Sequence, residues 1–193
     1  MNHAWIGFLE TTPLGRVWVA VSERGLVAVE FGEEDERRMT NDEGALEMIA
    51  TKVEAIVRTV HRLGFDYVVV DQERTGEALR QIAEYLQGQR QVFDLPIDWS
   101  VLTPFQEQAL RATSGIPCGQ TTTYGAIARG MGKPRAARAV GRAEATNPMP
   151  LVIPCHRVLG ADGGLHGYGA GSGLETKKWL LRLEMAQFPP SGV

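Results

Sequence analysis

Cysteine is scarce in this chain. Cys118 and Cys155 are its only two cysteines in 193 residues, which is too few for a disulfide framework, and their surroundings lack the spacing of zinc ligands. No apolar run approaches the ~20 residues of a membrane span, and the N-terminus, with Glu10 and no long apolar core, does not resemble a signal peptide. We therefore expect a protein of a reducing compartment, cytoplasmic or, in a eukaryote, nuclear, without a membrane partner.

Acidic side chains are scarce in the second half. Residues 1–98 carry 10 Lys and Arg against 18 Asp and Glu, whereas residues 99–193 carry 10 against 5. Five basic residues fall in one window without an acid among them: Arg129, Lys133, Arg135, Arg138 and Arg142. Such a window either contacts a polyanion or forms the solvated face of a helix, and charge alone leaves both interpretations open.

The first half has the pattern of a small α/β unit. Its apolar periodicities predict strands over 16–21, 26–31 and 65–70, with a turn at Gly25, and helices over 43–63 and from a Thr75 cap to about Gly88. A domain boundary is predicted where the charge reverses. The expected division is an N-terminal domain over 1–98, a C-terminal domain over 99–188 and a disordered tail over 189–193.

The second half is predicted to be mostly helical. Thr103 and Pro104 are an N-cap and a first helical residue, and they predict a helix to about Ala112. Predicted helices over 124–129 and 134–143, joined by a Gly-Met-Gly-Lys turn, have the spacing of a helix-turn-helix.

The second of these helices is rich in alanine and glycine. It therefore carries few polar side chains for a major groove, but a bare helix can approach the minor groove, which is about 6 Å wide. Arg138, flanked by alanines, is predicted to project into nucleic acid. The alternative is that the small residues pack this helix tightly against another one.

Reactive chemistry is predicted at Cys155 and His156, where a thiol lies next to an imidazole after an apolar run that ends at Pro154. A cysteine becomes a strong nucleophile once its thiolate is stabilised, and His156 and Arg157 are both candidates for that role. The alternative is a buried, inert cysteine, and adjacency alone does not decide between the two.

Several motifs occur together in one order over residues 103–184. They are Tyr124, the Arg-Ala-Ala-Arg-Ala-Val-Gly run over 135–141, Asn147-Pro148, the Ile-Pro-Cys-His-Arg-Val run over 153–158, Gly167-Tyr168, and Gly173-Leu174 through Lys177, Leu180, Leu181 and Glu184. This combination closely resembles the O6-alkylguanine-DNA alkyltransferases, or methylated-DNA–protein-cysteine methyltransferases. The resemblance implies an α+β fold: a small RNase H-like N-terminal α/β domain with an antiparallel sheet, and a mostly helical C-terminal domain with a helix-turn-helix.

The resemblance also implies an activity. A member of this family flips O6-alkylguanine, and O4-alkylthymine, out of duplex DNA and transfers the alkyl group once to its own cysteine, here Cys155. His156 would take the thiol proton through a water molecule, and Glu184 would orient the imidazole ring. Tyr124 would donate to the departing guanine, and Asn147 would hold the turns before the cysteine.

Further positions follow from the same resemblance. Arg138 would fill the gap that the flipped base leaves in the stack. Other DNA contacts are expected at Arg135, Ala136, Ala139, Gly141, Arg142 and Thr123. The base pocket is expected to be lined by Tyr124, Pro150, Val158, Tyr168 and Gly169.

No cofactor, metal or obligate protein partner is implied, and we expect a monomer that binds double-stranded DNA. His3 and His61 have no cysteine companions that would make them zinc ligands. The loop over 168–174 is about two residues longer than in many relatives. A non-catalytic binder of alkylated DNA is the main alternative, and Cys155 argues against it, because such proteins carry another residue at the acceptor position.

Overall fold

A computed structural model describes residues 2–32 and 53–187 of the chain. Four strands form the N-terminal sheet: β1 (His3–Thr12), β2 (Gly15–Ser22), β3 (Gly25–Phe31) and β4 (Tyr67–Val70). Their order across the sheet is β3-β2-β1-β4. β1, β2 and β3 pair antiparallel, whereas β4 pairs parallel to β1. The predicted β2–β3 hairpin is thereby confirmed, and a first strand that the periodicity did not predict precedes it.

Two positions in this sheet require glycine, because a side chain there would collide with a neighbouring segment. Gly25 has a φ of +132°, and a Cβ there would lie 2.2 Å from the carbonyl oxygen of Pro96. Gly7 interrupts the apolar alternation of β1, and a Cβ there would lie 2.0 Å from the hydroxyl oxygen of Thr75. A helix therefore packs directly on the β1 backbone at the point where the strand pattern is weakest in the sequence.

Two helices accompany the sheet, α1 (53–62) and α2 (Gln72–Leu86). The part of the predicted 43–63 helix before residue 53 lies outside the described residues. The predicted Thr75 cap is wrong: the cap of α2 is Asp71, whose carboxylate accepts from the Arg74 backbone N–H at 2.9 Å. Thr75 is buried inside the helix, where its hydroxyl donates to the Asp71 carbonyl. The polar first turn of α2 carries no apolar signal that could have revealed this earlier start.

The second half contains four helices and one pair of short strands among its described residues. They are α3 (Pro104–Ser114), β5 (Thr122–Thr123), α4 (Tyr124–Gly130), α5 (Ala137–Ala145), β6 (Val158–Leu159) and α6 (Leu174–Gln187). α3 starts at Pro104 as predicted, although the Thr103 side chain makes no capping hydrogen bond. α5 starts three residues after its predicted start at Pro134, because residues 134–136 still belong to the turn.

α4 and α5 form the helix-turn-helix around a small apolar cluster of Ile127, Ala128, Val140 and Val158. β5 pairs parallel to β6, which places Thr122 opposite Val158 and so ties the entrance of the helix-turn-helix to the segment after Cys155.

One apolar cluster is continuous between the two halves of the chain. It contains Val19 and Leu26 of the sheet, Leu110 of α3, Ile153 before the cysteine and Leu180 of α6. The domain boundary at residue 98 therefore stays a prediction, and the predicted tail over 189–193 lies outside the described residues. No helix in the described part of the chain is both long and apolar enough to cross a membrane.

Candidate active site

The segment before Cys155 is a tight, buried turn. Leu151 is fully buried with a φ of +72°, which is the left-handed conformation that a leucine rarely adopts. Asn147 holds this turn, because its Nδ2 donates to the Ile153 carbonyl at 2.9 Å and its Oδ1 accepts from the Met149 backbone N–H at 3.0 Å. The cysteine thus follows a backbone whose conformation is fixed by a side-chain amide.

Cys155 begins a short 3-10 turn over 155–157 and is 5% exposed. Burial raises the pKa of Cys155 to about 12, and the nearby Glu144 carboxylate adds to this, whereas Asn147 and Lys177 act in the opposite direction. The resting sulfur is therefore a protonated thiol, and a base is needed to make it a nucleophile.

His156 lies fully buried beside it. Its Nε2 lies 2.9 Å from Oε1 of Glu184. Burial lowers the pKa of His156, and the hydrogen bond to Glu184 offsets this only in part, so the ring is neutral near neutral pH. With Nε2–H directed at the carboxylate, Nδ1 carries the lone pair. Nδ1 is buried without a hydrogen-bond partner among the described residues, so it is the nitrogen free to take a proton.

Glu184 is the centre of a dense hydrogen-bond network on α6. Arg157 donates through Nε and Nη2, at 3.1 and 2.7 Å from Oε1, and the Gly119 backbone N–H donates to Oε2 at 3.0 Å. The Tyr85 hydroxyl donates to Oε1 at 2.7 Å. Burial opposes the ionisation of Glu184, but the bonds from His156 and Arg157 outweigh it and hold the pKa of Glu184 well below its usual range. The carboxylate is charged throughout the neutral range.

Arg157 is committed to this network. Its guanidinium also donates to the Ile116 carbonyl, so it ties α6 and the loop after α3 to the cysteine turn. Of the two side chains predicted as thiolate stabilisers, His156 and Arg157, the arginine is thus engaged elsewhere. Cys118, half-buried nearby, has its pKa raised to about 11 by burial and then by Glu184.

The residues expected to line a base pocket differ in exposure. Pro150 and Val158 are buried, Tyr124 and Tyr168 are half-buried, and Gly169 is exposed. The Tyr168 hydroxyl is buried with no hydrogen-bond partner among the described residues, and burial followed by the nearby Cys155 raises the pKa of Tyr168 well above its usual value. The Tyr124 hydroxyl donates to the His166 carbonyl at 2.7 Å.

Two buried charged residues are not among the predicted site residues, although Lys177 belongs to the motif that carries the family resemblance. Lys177 of α6 is fully buried, and its Nζ donates to the Val158 carbonyl at 2.7 Å. Glu144 of α5 is buried as well; its Oε1 accepts from the Thr113 hydroxyl at 2.6 Å, while its Oε2 has no partner among the described residues. Burial raises the pKa of Glu144 to about 7. Helical spacing could have indicated their burial, because residues three or four apart lie on the same face of a helix. Lys177 lies three residues before the buried Leu180, and Glu144 lies four residues after the buried Val140.

The helix-turn-helix presents a basic face to solvent. Arg129, Arg135, Arg138 and Arg142 are exposed, and none makes an ion pair or side-chain hydrogen bond with the described residues. Ala139 lies exposed between two of them. This face has the composition of a surface for a polyanion.

Three other positions predicted to contact DNA are half-buried and also contact the protein itself. Ala136 is half-buried against the apolar cluster of the helix-turn-helix. Gly141 faces the Tyr124 ring, since a Cβ there would lie 3.8 Å from it. Thr123 caps α4 by accepting from the Ala126 backbone N–H at 3.1 Å. The close packing expected as the alternative role of these small residues is therefore observed at Ala136 and Gly141.

The fold and the site together define an α+β protein of two parts. It has a basic helix-turn-helix and a buried cysteine that is followed by a histidine bonded to a glutamate. Residues 8–99 match the family model of the ribonuclease-like domain of 6-O-methylguanine DNA methyltransferase, and residues 104–186 match that of its DNA binding domain. The chain belongs to the 6-O-methylguanine DNA methyltransferase family.

Known proteins of this family are similar over nearly the whole chain. The methylated-DNA–protein-cysteine methyltransferase of Salmonella typhimurium is 36% identical over 174 residues, which are 90% of this chain and 91% of that protein. The constitutive enzyme of Bacillus subtilis is 34% identical over 177 residues, 92% and 93% of the two chains.

Solved structures agree with these sequence relatives. The O6-methylguanine methyltransferase of Mycobacterium tuberculosis superposes with a TM-score of 0.70 at 30% identity, covering 100% of this chain and 97% of that one. The complex of the same organism's protein with DNA gives a TM-score of 0.71 at 30% identity, covering 97% and 95%. The predicted family, the α+β class and the methyltransferase activity are confirmed.

Proposed function

We propose that this chain repairs O6-alkylguanine in duplex DNA by moving the alkyl group to Cys155, once per protein molecule. The observation that carries the proposal is a neutral imidazole next in the chain to a buried thiol. Its Nδ1 has no partner among the described residues, and its Nε2 lies against the ionised Glu184. In the transfer the S–C bond forms as the bond between the alkyl carbon and O6 breaks. The thiol proton passes to Nδ1 of His156, through a water molecule as expected from the family.

The charges of the site support this direction of proton transfer. Because burial keeps the Cys155 thiol protonated at rest, the proton must leave as sulfur attacks. Protonation of His156 at Nδ1 creates an imidazolium, which the Glu184 carboxylate stabilises from the opposite side of the ring. Asn147 holds the turn that aims the sulfur.

The departing guanine needs a proton donor. Burial, with Glu144 and Cys155 adding to it, raises the pKa of Tyr124 to about 12, so its hydroxyl stays protonated at neutral pH. We infer that the flipped base replaces the His166 carbonyl as the acceptor of this hydroxyl. Pro150, Val158, Tyr168 and Gly169 would line the base.

DNA would approach along the exposed face of α5. Arg138, Ala139 and Arg142 form that face, Arg135 lies exposed in the turn directly before it, and the bare helix suits a minor groove. Arg138 would enter the stack in place of the flipped nucleotide and offset part of an unstacking cost of a few kcal/mol. O4-alkylthymine, with the same kind of alkyl ether carbon, is the proposed second substrate. A monomer without a cofactor suffices for this chemistry.

The test uses duplex DNA that contains O6-methylguanine, with the methylated protein residue located by peptide mass spectrometry. We expect one methyl group per protein molecule, on Cys155, and no second turnover. Cys155→Ser should bind the DNA without becoming methylated, and Cys118→Ser, the matched control, should be methylated like the wild type.

Three results would contradict the proposal. They are a methyl group on Cys118, methylation of the Cys155→Ser variant, or continued turnover by one protein molecule. Binding without any methylation in the wild type would instead favour a non-catalytic binder of alkylated DNA.

A further inference from the structure

A tyrosine of the N-terminal half reaches the centre of the candidate site. Tyr85 lies near the end of α2, 99 residues before Glu184 in the chain, and is fully buried. Its hydroxyl donates to Oε1 of Glu184 at 2.7 Å and lies 3.4 Å from Nε2 of His156. Neither the helix-turn-helix nor the cysteine turn supplies this contact.

The hydroxyl acts as a donor in this arrangement. Burial, with the Glu184 charge adding to it, raises the pKa of Tyr85 well above its usual value, so the phenol keeps its proton. Oε1 of Glu184 therefore receives hydrogen bonds from His156, Arg157 and Tyr85 at once. The Tyr85 ring is held independently of its hydroxyl, because it packs against Phe93 with ring centroids 5.2 Å apart.

Sharing of one carboxylate oxygen has a consequence for the base. A carboxylate raises the proton affinity of a histidine it contacts, and each further donor reduces the negative charge available to that histidine. We propose that Tyr85 is a positioning residue of the transfer site: its hydroxyl moderates Glu184 so that His156 stays neutral and able to accept the thiol proton. This inference rests on the proposed function, and it assigns the N-terminal half a part in it.

Other ionisable groups lie near Tyr85, His156 and Glu184 and come from several elements. They are Arg157 of the cysteine turn, Lys177 of α6, Cys118 of the loop after α3 and Tyr168 of the loop before α6. Tyr85→Phe substitutes none of them, so a shift in the variant that the control variant lacks reports on the hydroxyl.

The test compares Tyr85→Phe with Thr75→Val. Both remove one buried hydroxyl from α2, but among the described residues the Thr75 hydroxyl bonds only the Asp71 carbonyl. Single-turnover methyl transfer from duplex DNA is measured at saturating protein between about pH 5.5 and about pH 9. In Tyr85→Phe the acid limb should move to higher pH by about half a unit or more, with transfer roughly 3–10-fold slower at about pH 6 and close to wild type above about pH 8. Thr75→Val should keep the wild-type profile.

The His156 ring gives a second readout that does not need turnover. Its titration by NMR should show a higher pKa in Tyr85→Phe and no change in Thr75→Val. An equal loss of rate at every pH, or an unshifted His156 titration, would overturn the inference while leaving methyl transfer intact. Absence of transfer in the wild type would instead overturn the proposed function, so the two failures are distinguishable.

Discussion

Glu144 is the side chain whose ionisation should be visible in stability. Its pKa is raised from 4.5 to about 7 in the fold, chiefly by burial. The native state therefore holds the proton more tightly than the unfolded chain, and the free energy of unfolding falls as pH rises between these two values. Above about pH 7 the buried carboxylate is charged, and its Oε2 has no partner among the described residues.

Replacement of this carboxyl by an amide should remove the effect. Glu144→Gln keeps an Oε1 that accepts from Thr113 but cannot ionise, so we expect it to raise the free energy of unfolding by roughly 1–3 kcal/mol at about pH 8 and by much less at about pH 5. Urea unfolding at the two pH values measures this. Glu73→Gln, on the exposed first turn of α2, is the control and should keep the wild-type pH dependence. An equal effect of Glu144→Gln at both pH values would contradict the expectation.

α5 has a packed side and an exposed side. A change on the exposed side should affect transfer from duplex DNA without affecting transfer from a free base. Arg138 makes no contact with the described residues that would explain a role in folding. Arg138→Ala should therefore slow transfer from duplex DNA by about tenfold or more, because the unstacking cost is no longer offset, while transfer from free O6-benzylguanine is unchanged.

Arg129→Ala is the matched control for that variant, since Arg129 is also an exposed arginine of the helix-turn-helix, on α4. It should weaken DNA binding, with a reduced salt dependence, and leave the rate at saturating DNA intact. If Arg138→Ala lost activity equally on duplex DNA and on the free base, base extrusion would not be its role.

The loop over 168–174 is seated on the end of α5 by close backbone contact. A Cβ at Gly169 would lie 2.3 Å from the Ala145 carbonyl oxygen, so Gly169→Ala must displace the loop. We expect a loss of roughly 1–3 kcal/mol in stability and slower transfer even from the free base, because Tyr168 moves with the loop.

Gly76→Ala is the control for this steric argument. A Cβ at Gly76, inside α2, meets nothing within 4 Å, and alanine should there stabilise the protein by up to ~1 kcal/mol. Thermal unfolding and transfer rates measure both variants. Wild-type behaviour of Gly169→Ala would show that the loop is free of the Ala145 contact in solution.

At the scale of the molecule, periodicity predicted those elements whose apolar pattern is uninterrupted. The β2–β3 hairpin and α3 are examples, since both combine a regular pattern with a clear turn or proline signal. β1 was not predicted, because Gly7 breaks its apolar alternation at the point where α2 packs on it. The start of α2 was not predicted either, because its first turn is polar. Tertiary packing decides both cases, and a local pattern does not contain it.

The site was accessible to sequence reasoning only where its residues adjoin. Cys155 and His156 are neighbours in the chain, so the sequence alone shows that they lie close together. Only the family resemblance points to the role of Glu184, and the hydrogen bond of Lys177 to a carbonyl of β6 joins residues that no local pattern connects. Tyr85 could not be found at all, because its partner lies 99 residues away.

The outer strand β3 is covered by two later segments of the chain, one of which belongs to the C-terminal half. Its Leu26 backbone N–H donates to the Pro96 carbonyl, and its Val29 N–H donates to the carbonyl of Pro148, which directly follows the asparagine of the cysteine turn. An N-terminal fragment over 1–98 would keep the Pro96 contact but lose that of Pro148, and it would leave the Val29 backbone N–H open to intermolecular strand pairing. The turn before Cys155 thus also covers a strand edge through which copies of the protein could otherwise associate.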